Sequence, residues 1–250
     1  MKTWMAWTLM LAAGASSAFG QLNFHGDAGA PQALVTLADA SRWQAGLAYA
    51  HVSRTVESDG AEWKLRGDIG DVLLGFSPAP WLLLYAQGGA SEARLAGVMN
   101  DKPSAGAGGL LGASLNLWQF NEGVRATAWR FTVQMAGQFA WRTTQDEGSG
   151  KIEWSEALLM LPLDYHLIFV RTYRHTYMGE FHGLRIYAGP ACSWVDGTWS
   201  RDGAERDFKE KEPFGAVAGA ELWLLENLSF GARAEWFDDT SAQLSVRYRF

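Results

Sequence analysis

Ser241–Phe250 reads SAQLSVRYRF, and its alternation decides the fold. Ala242, Leu244, Val246, Tyr248 and Phe250 share one parity, while Gln243, Ser245, Arg247 and Arg249 take the other. Successive side chains of a strand point to opposite faces, so this stretch has an apolar face and a polar, cationic one. The stretch before it repeats the pattern. Leu228, Phe230, Ala232, Ala234 and Trp236 oppose Ser229, Gly231, Arg233 and Glu235. Asp238-Asp239-Thr240 lies between the two and has the composition of a turn, so they pair as a hairpin.

Moving towards the N-terminus, the same period recurs. Phe214, Ala216, Ala218, Ala220, Leu222 and Leu224 oppose Gly215, Gly219 and Glu221. Leu184, Ile186, Ala188, Cys192 and Trp194 oppose Arg185, Tyr187 and Ser193. Trp129, Phe131, Val133, Met135, Phe139 and Trp141 oppose Arg130, Thr132, Gln134, Gln138 and Arg142. Leu111, Ala113, Leu115 and Leu117 oppose Gly112, Ser114 and Asn116. Noisier strands are expected near residues 43–56, 61–77, 81–95 and 151–165. Asp68 and Asp71 differ in parity, which predicts a bulge around Gly67–Gly70, and Pro162 predicts an irregularity in its strand. The sum is about ten strands, each long enough to cross a bilayer when tilted. Turns expected at one end are Glu57–Gly60, Val98–Ala105, Thr143–Gly150 and Ser200–Asp207; Ser77–Trp81, Phe120–Gly123 and Leu225–Leu228 belong to the other. With an even strand count and both chain ends periplasmic, the first set lies outside the cell. Trp81, Trp118, Trp129, Trp223, Tyr248 and Phe250 fall towards one rim, and Trp63, Trp141, Trp154, Trp194 and Trp236 towards the other, as two aromatic girdles would.

Residues 1–20 carry Lys2, an apolar run from Trp4 to Ala13 and a small-residue end at Ala15–Gly20, in the order of a signal peptide. Residues 21–42 are then an N-terminal periplasmic segment, and 43–250 the β-domain. The 250 residues carry a formal charge of −6, which argues against a nucleic-acid partner. One cysteine, Cys192, excludes an internal disulfide.

The signal peptide, the alternating strands and the terminal Val246–Phe250 (VRYRF) resemble the bacterial outer-membrane β-barrel superfamily, in particular small porin-like barrels. Gly75–Gly89 (GFSPAPWLLLYAQGG) is similar to their periplasmic hairpins. The resemblance implies an all-β, closed antiparallel transmembrane barrel in the outer membrane of a Gram-negative-type cell envelope. It also implies recognition of the C-terminal strand by the barrel assembly machinery; the barrel is expected to be a monomer whose apolar parity contacts outer-membrane lipids. A soluble β-sandwich would alternate too, but its polar face would not be so rich in Gly, Ser and Gln, nor its apolar face in Ala and rim Trp.

Candidate chemistry is thin, and no catalytic residue, cofactor or metal is expected. His51 and Ser53 share a face of the first strand, with Glu57 on the same parity. A base beside a hydroxyl can generate a nucleophile, and the pair resembles the His-x-Ser of outer-membrane lipid A deacylases, whose barrels have fewer strands and carry the pair near the chain's end. That makes a lipid-modifying hydrolase the alternative to a structural, surface-binding or narrow-pore barrel. His166, His175 and His182 are read within a long basic connection from Asp164 to Gly183, and Asp238-Asp239 as a solvated turn. Inward parity collects Arg130, Gln134, Gln138, Arg142, Arg185, Glu221, Arg233, Glu235, Arg247 and Arg249. Charge inside a narrow barrel must be paired, so an Arg/Glu plug is expected, with a mildly anion-favouring pore as the alternative. Counting across the turn at Glu226-Asn227 predicts that Glu221 pairs with Arg233, with Arg247 as a second partner.

Overall fold

The computed structural model describes residues 43–79, 81–96, 103–124, 127–146, 150–169, 183–201, 203–225 and 227–250. The expected signal peptide of residues 1–20, the 21–42 segment, His175 and His182 lie outside the described residues. The elements are β1 (Trp43–Ser58), β2 (Ala61–Ala79), β3 (Leu82–Ala96), β4 (Pro103–Ser104), β5 (Gly106–Val124), β6 (Thr127–Asp146), β7 (Lys151–Met160), β8 (Leu163–Phe169), β9 (Gly183–Arg201), β10 (Ala204–Glu210), β11 (Phe214–Trp223), β12 (Leu228–Trp236) and β13 (Thr240–Arg249).

Every pairing is antiparallel, and β1 bonds to both β2 and β13, so the sheet closes. β7 and β8 are two halves of one wall strand, β10 and β11 are two halves of another, and β4 prolongs β5, which leaves a ten-stranded barrel. Closure removes the edge strands that an open sheet would expose. The terminal-strand reading holds: Ala242, Leu244 and Val246 face outwards opposite His51, Tyr49 and Leu47 of β1.

Prolines cause two of the breaks. Pro162 has no N–H to give, so the ladder stops between β7 and β8, yet the register against β6 and β9 continues unshifted across it. Lys211–Pro213 does shift the register, by one residue, between β10 and β11. The bulge expected at Gly67–Gly70 is not there. β2 runs in unbroken register with β1, so Asp68 points outwards and Asp71 into the lumen. Irregularities fall instead at Phe76/Ala79 and Asn116/Trp118.

Several expected turns are shorter than read, since Thr143–Asp146 belongs to β6 and Ser77–Ala79 to β2. Phe120–Gly123 belongs to β5, most of Ser200–Asp207 is hairpin strand, and the first turn is Asp59-Gly60 alone, both at positive φ. Such a two-residue turn matches the strand twist, and Gly60 takes the second left-handed position without a Cβ penalty.

The outer surface is apolar. Leu47, Val72, Leu74, Leu111, Leu163, Phe214 and Leu244 are each more than half exposed. Water-soluble monomers rarely show so continuous an apolar surface, whereas lipid tails require one. Trp141, Trp194 and Trp236 join this surface. Trp63, Trp154 and Trp223 do not; they point into the lumen. There Tyr85 lies over Gly112 and Tyr187 over Gly219, each ring occupying the space a Cβ would need.

One feature of the topology shapes the lumen. The β12–β13 hairpin turns at 237–239, well below the tip of the β9–β10 hairpin. Above it β10 reaches across and pairs with β1, Val56 opposite Glu210 and Glu57 opposite Lys209. The barrel therefore closes around two fewer strands at this end than at the end carrying the chain termini.

Candidate functional site: a lumen with one closed end

Inward side chains form three layers. At the end away from the termini Val56, Leu65, Leu95, Ile152, Trp154, Val195 and Phe208 pack into one cluster, flanked by Trp63 and Trp199. Val56, Leu65, Leu95, Ile152 and Phe208 are at most 1 % exposed. Phe208 fits because Gly197 opposite it leaves room for the ring. The narrowed wall brings these residues close enough to fill the bore.

The middle layer is ionic. Arg54 is buried; its Nη2 lies 2.6 Å from Glu235 and 3.4 Å from Glu156, and its Nε 3.4 Å from Glu210. Nη1 donates to Ser241 Oγ at 2.8 Å, and the guanidinium sits 4.2 Å over the Phe237 ring. Arg142 grips Asp71 with both terminal nitrogens, at 3.2 and 2.6 Å. Arg233 meets Glu235 at 2.9 Å. Buried carboxylates held in this way need their arginines, since an uncompensated charge in a low-dielectric interior is costly.

The third layer opens at the end carrying the termini. Arg185 binds Asp164 through two nitrogens and reaches Gln134 at 2.7 Å and Glu221 at 3.4 Å. Glu221 also accepts from Arg247 at 2.9 Å and from Ser229 at 2.6 Å. Arg249 lies 3.7 Å over the Trp223 ring, and His166 stacks on the same indole. These groups surround a cavity of about 270 Å³ that extends to Trp43, Ser77 and Trp81 at the terminal rim. A space of about 50 Å³ lies deeper, among Arg54, Asp71, Arg142 and Glu235.

The inward set read from parity is all inward. The expected Glu221–Arg233 pair is not formed: the β11–β12 turn sets Glu221 opposite Gly231 and Gly219 opposite Arg233. Arg247, the second partner, is the one that binds. His166 is not in a solvated loop but in β8, opposite Arg130 and Arg185. Arg54, Asp71, Glu156, Asp164 and Glu210 complete the ion pairs and were missed. Arg54 shares its parity with Val52 and Val56, so the strand period could have found it; the carboxylates gave no such signal, because their strands read as irregular.

The other candidates lie on the outer face, above the apolar surface. His51 Nδ1 is 3.0 Å from Asp68 Oδ1, which also accepts from Tyr49 at 2.7 Å. Ser53 donates to Asp239 at 2.8 Å and is only 4 % exposed. Asp239 also binds Lys64 at 2.9 Å, and Asp238 accepts from the Thr55 N–H at 2.8 Å. The Asp238-Asp239 turn is thus docked on β1 and β2 rather than solvated. Lys64, the Thr240 N–H and Ser53 hold the Asp239 carboxyl well below the usual carboxylate range. Among the described residues no cluster of His, Cys, Asp and Glu is arranged to hold a metal.

No family model matches the chain, and no curated protein matches it. Among solved structures it is similar to the translocator domain of the autotransporter NalP from Neisseria meningitidis, at 11 % identity over 98 % of this chain and 97 % of that one, with a TM-score of 0.39. An outer membrane channel from Pseudomonas putida F1 aligns at 9 % identity over 84 % and 96 %, TM-score 0.37. The beta domain of the Bordetella autotransporter BrkA aligns at 13 % identity over 82 % and 99 %, TM-score 0.30. The chain's own geometry carries the architecture: a closed, even-numbered antiparallel sheet, apolar outside and charged within, is an outer-membrane β-barrel.

Proposed function

We propose that this chain is a non-enzymatic, monomeric barrel of the outer membrane that does not conduct, with its lumen sealed towards the outside and open towards the periplasm. The observation that carries this reading is the buried apolar layer of Phe208, Trp154, Leu95 and their neighbours across the narrowed end. Ions and small solutes need a hydrated path, and a packed apolar layer provides none. The ionic layer below stabilises the wall and positions the open vestibule. Refolded protein in a planar bilayer should show no ion conductance, and steady ohmic steps from the unmutated barrel would overturn the reading.

A lipid hydrolase using His51 and Ser53 has one observation in its favour, the Asp68 carboxylate placed to orient the His51 ring. Against it, the Ser53 hydroxyl is covered and committed to Asp239 rather than to His51. Phospholipid hydrolysis by the barrel that disappears in Ser53→Ala would establish the hydrolase; a barrel with no such activity leaves the structural reading standing.

A further inference from the structure

The vestibule holds a surplus of hydrogen-bond donors. Arg130, Arg185, Arg233, Arg247 and Arg249 line it, and Asp164 is the single lining carboxylate among the described residues. Glu221 and Glu235, inward residues buried beneath the lining side chains, answer part of this charge. Three buried N–H groups of lining side chains still have no acceptor: Trp223 Nε1, Arg233 Nε and Arg247 Nε. Trp223 is itself 5 % exposed.

All three are donors, so what the site lacks is acceptors. An indole N–H can only donate, and a guanidinium offers five donors and no acceptor. Leaving a buried donor unanswered costs free energy comparable to a lost hydrogen bond. Forked guanidinium groups match the paired oxygens of phosphate and carboxylate. The cavity's size, near the lower end for small-molecule sites, favours a compact ligand. The apolar layer beyond the ionic one and the open terminal rim leave one route in.

We infer that the vestibule is a binding site for a small oxyanion, a phosphate or carboxylate group, admitted from the end that carries the chain termini. This rests on the sealed-barrel reading for the route of entry, but not for the binding itself. Arg247 supplies charge from one side while Glu221 fixes its orientation. Trp223 supplies a neutral donor at the rim, its ring held under Arg249. The oxyanion can come as a free solute or on a lipid headgroup.

Calorimetric titration of the detergent-refolded barrel tests this. The probes are inorganic phosphate and dihexanoyl phosphatidic acid, each against sodium chloride of matched ionic strength. Saturable heat beyond the chloride control is expected with at least one; phosphate alone identifies a free solute, and the lipid alone a headgroup. Arg247→Gln should weaken binding about tenfold, and Trp223→Phe, which keeps every charge, about threefold. If Arg247→Gln does not refold, Trp223→Phe decides. No saturable heat with either probe, or an affinity unchanged in Trp223→Phe, overturns the site. A barrel that conducts yet binds phosphate would refute only the seal, and a silent barrel that binds neither probe would refute only the site.

Discussion

The two ends of the lumen share eight wall strands, yet one is a packed apolar layer and the other an open, arginine-lined cavity. Val56 and Gln44 are both inward residues of β1, as Phe208 and Glu221 are of β10 and β11. The difference is depth along the barrel axis. Where β10 bypasses the β12–β13 hairpin the bore narrows and apolar side chains meet; where all ten strands contribute, the bore is wide enough to leave a cavity. Interior chemistry in a small barrel thus follows local circumference as well as parity.

The sharpest break in this contrast is Arg54→Ala. It removes the cation shared by Glu156, Glu210 and Glu235 at the boundary between the two ends, and should cost about 3–5 kcal/mol. Urea unfolding followed by loss of heat-modifiable gel mobility would measure it; a loss below about 1 kcal/mol would mean that water already reaches the layer.

Next in size, Phe208→Ala opens the apolar layer and should cost about 3 kcal/mol. Its sharper readout is conductance. Paired with Trp154→Ala, it should give the first measurable ion steps, whereas a still-silent double variant would place the seal elsewhere.

Outside the barrel no such contrast exists, because lipid surrounds the wall. Leu244→Arg, in the middle of β13, should cost about 2–3 kcal/mol, and the same change at Phe250, at the strand's end, less than about 1. Equal costs would show that the lipid-facing belt is not centred on β13 as its exposed residues suggest.

The smallest expected effect lies in the docked turn. The Asp239 carboxyl is held below its ordinary range by Lys64, Thr240 and Ser53. A depressed carboxylate contributes stability that is complete above its unfolded value of about 3.9 and drains only as pH falls through the lower folded value. Acid unfolding of Asp239→Asn should therefore match the parent barrel below that range and fall short of it near neutrality, by no more than about 1 kcal/mol. A variant as stable as the parent at pH 7 would show that the turn's contacts contribute nothing.

Which face each side chain takes was legible in the alternation alone. A strand's period of two is local, so Ser241–Phe250 could be read without any partner, and so could the inward run of Arg130, Arg185, Glu221 and Arg247. Tertiary structure alone decided depth and neighbours. Glu221 meets Arg247 rather than Arg233 because the hydrogen bond from Leu224 N–H to the Leu228 carbonyl goes with a register that sets Glu221 opposite Gly231, and a two-residue slip between strands is invisible to a pattern that repeats every two. The closed end depends on β10 meeting β1, about 150 residues apart in sequence. Which arginines are answered, and which N–H groups look for an acceptor, follows from closing the ring, a property that no single strand carries.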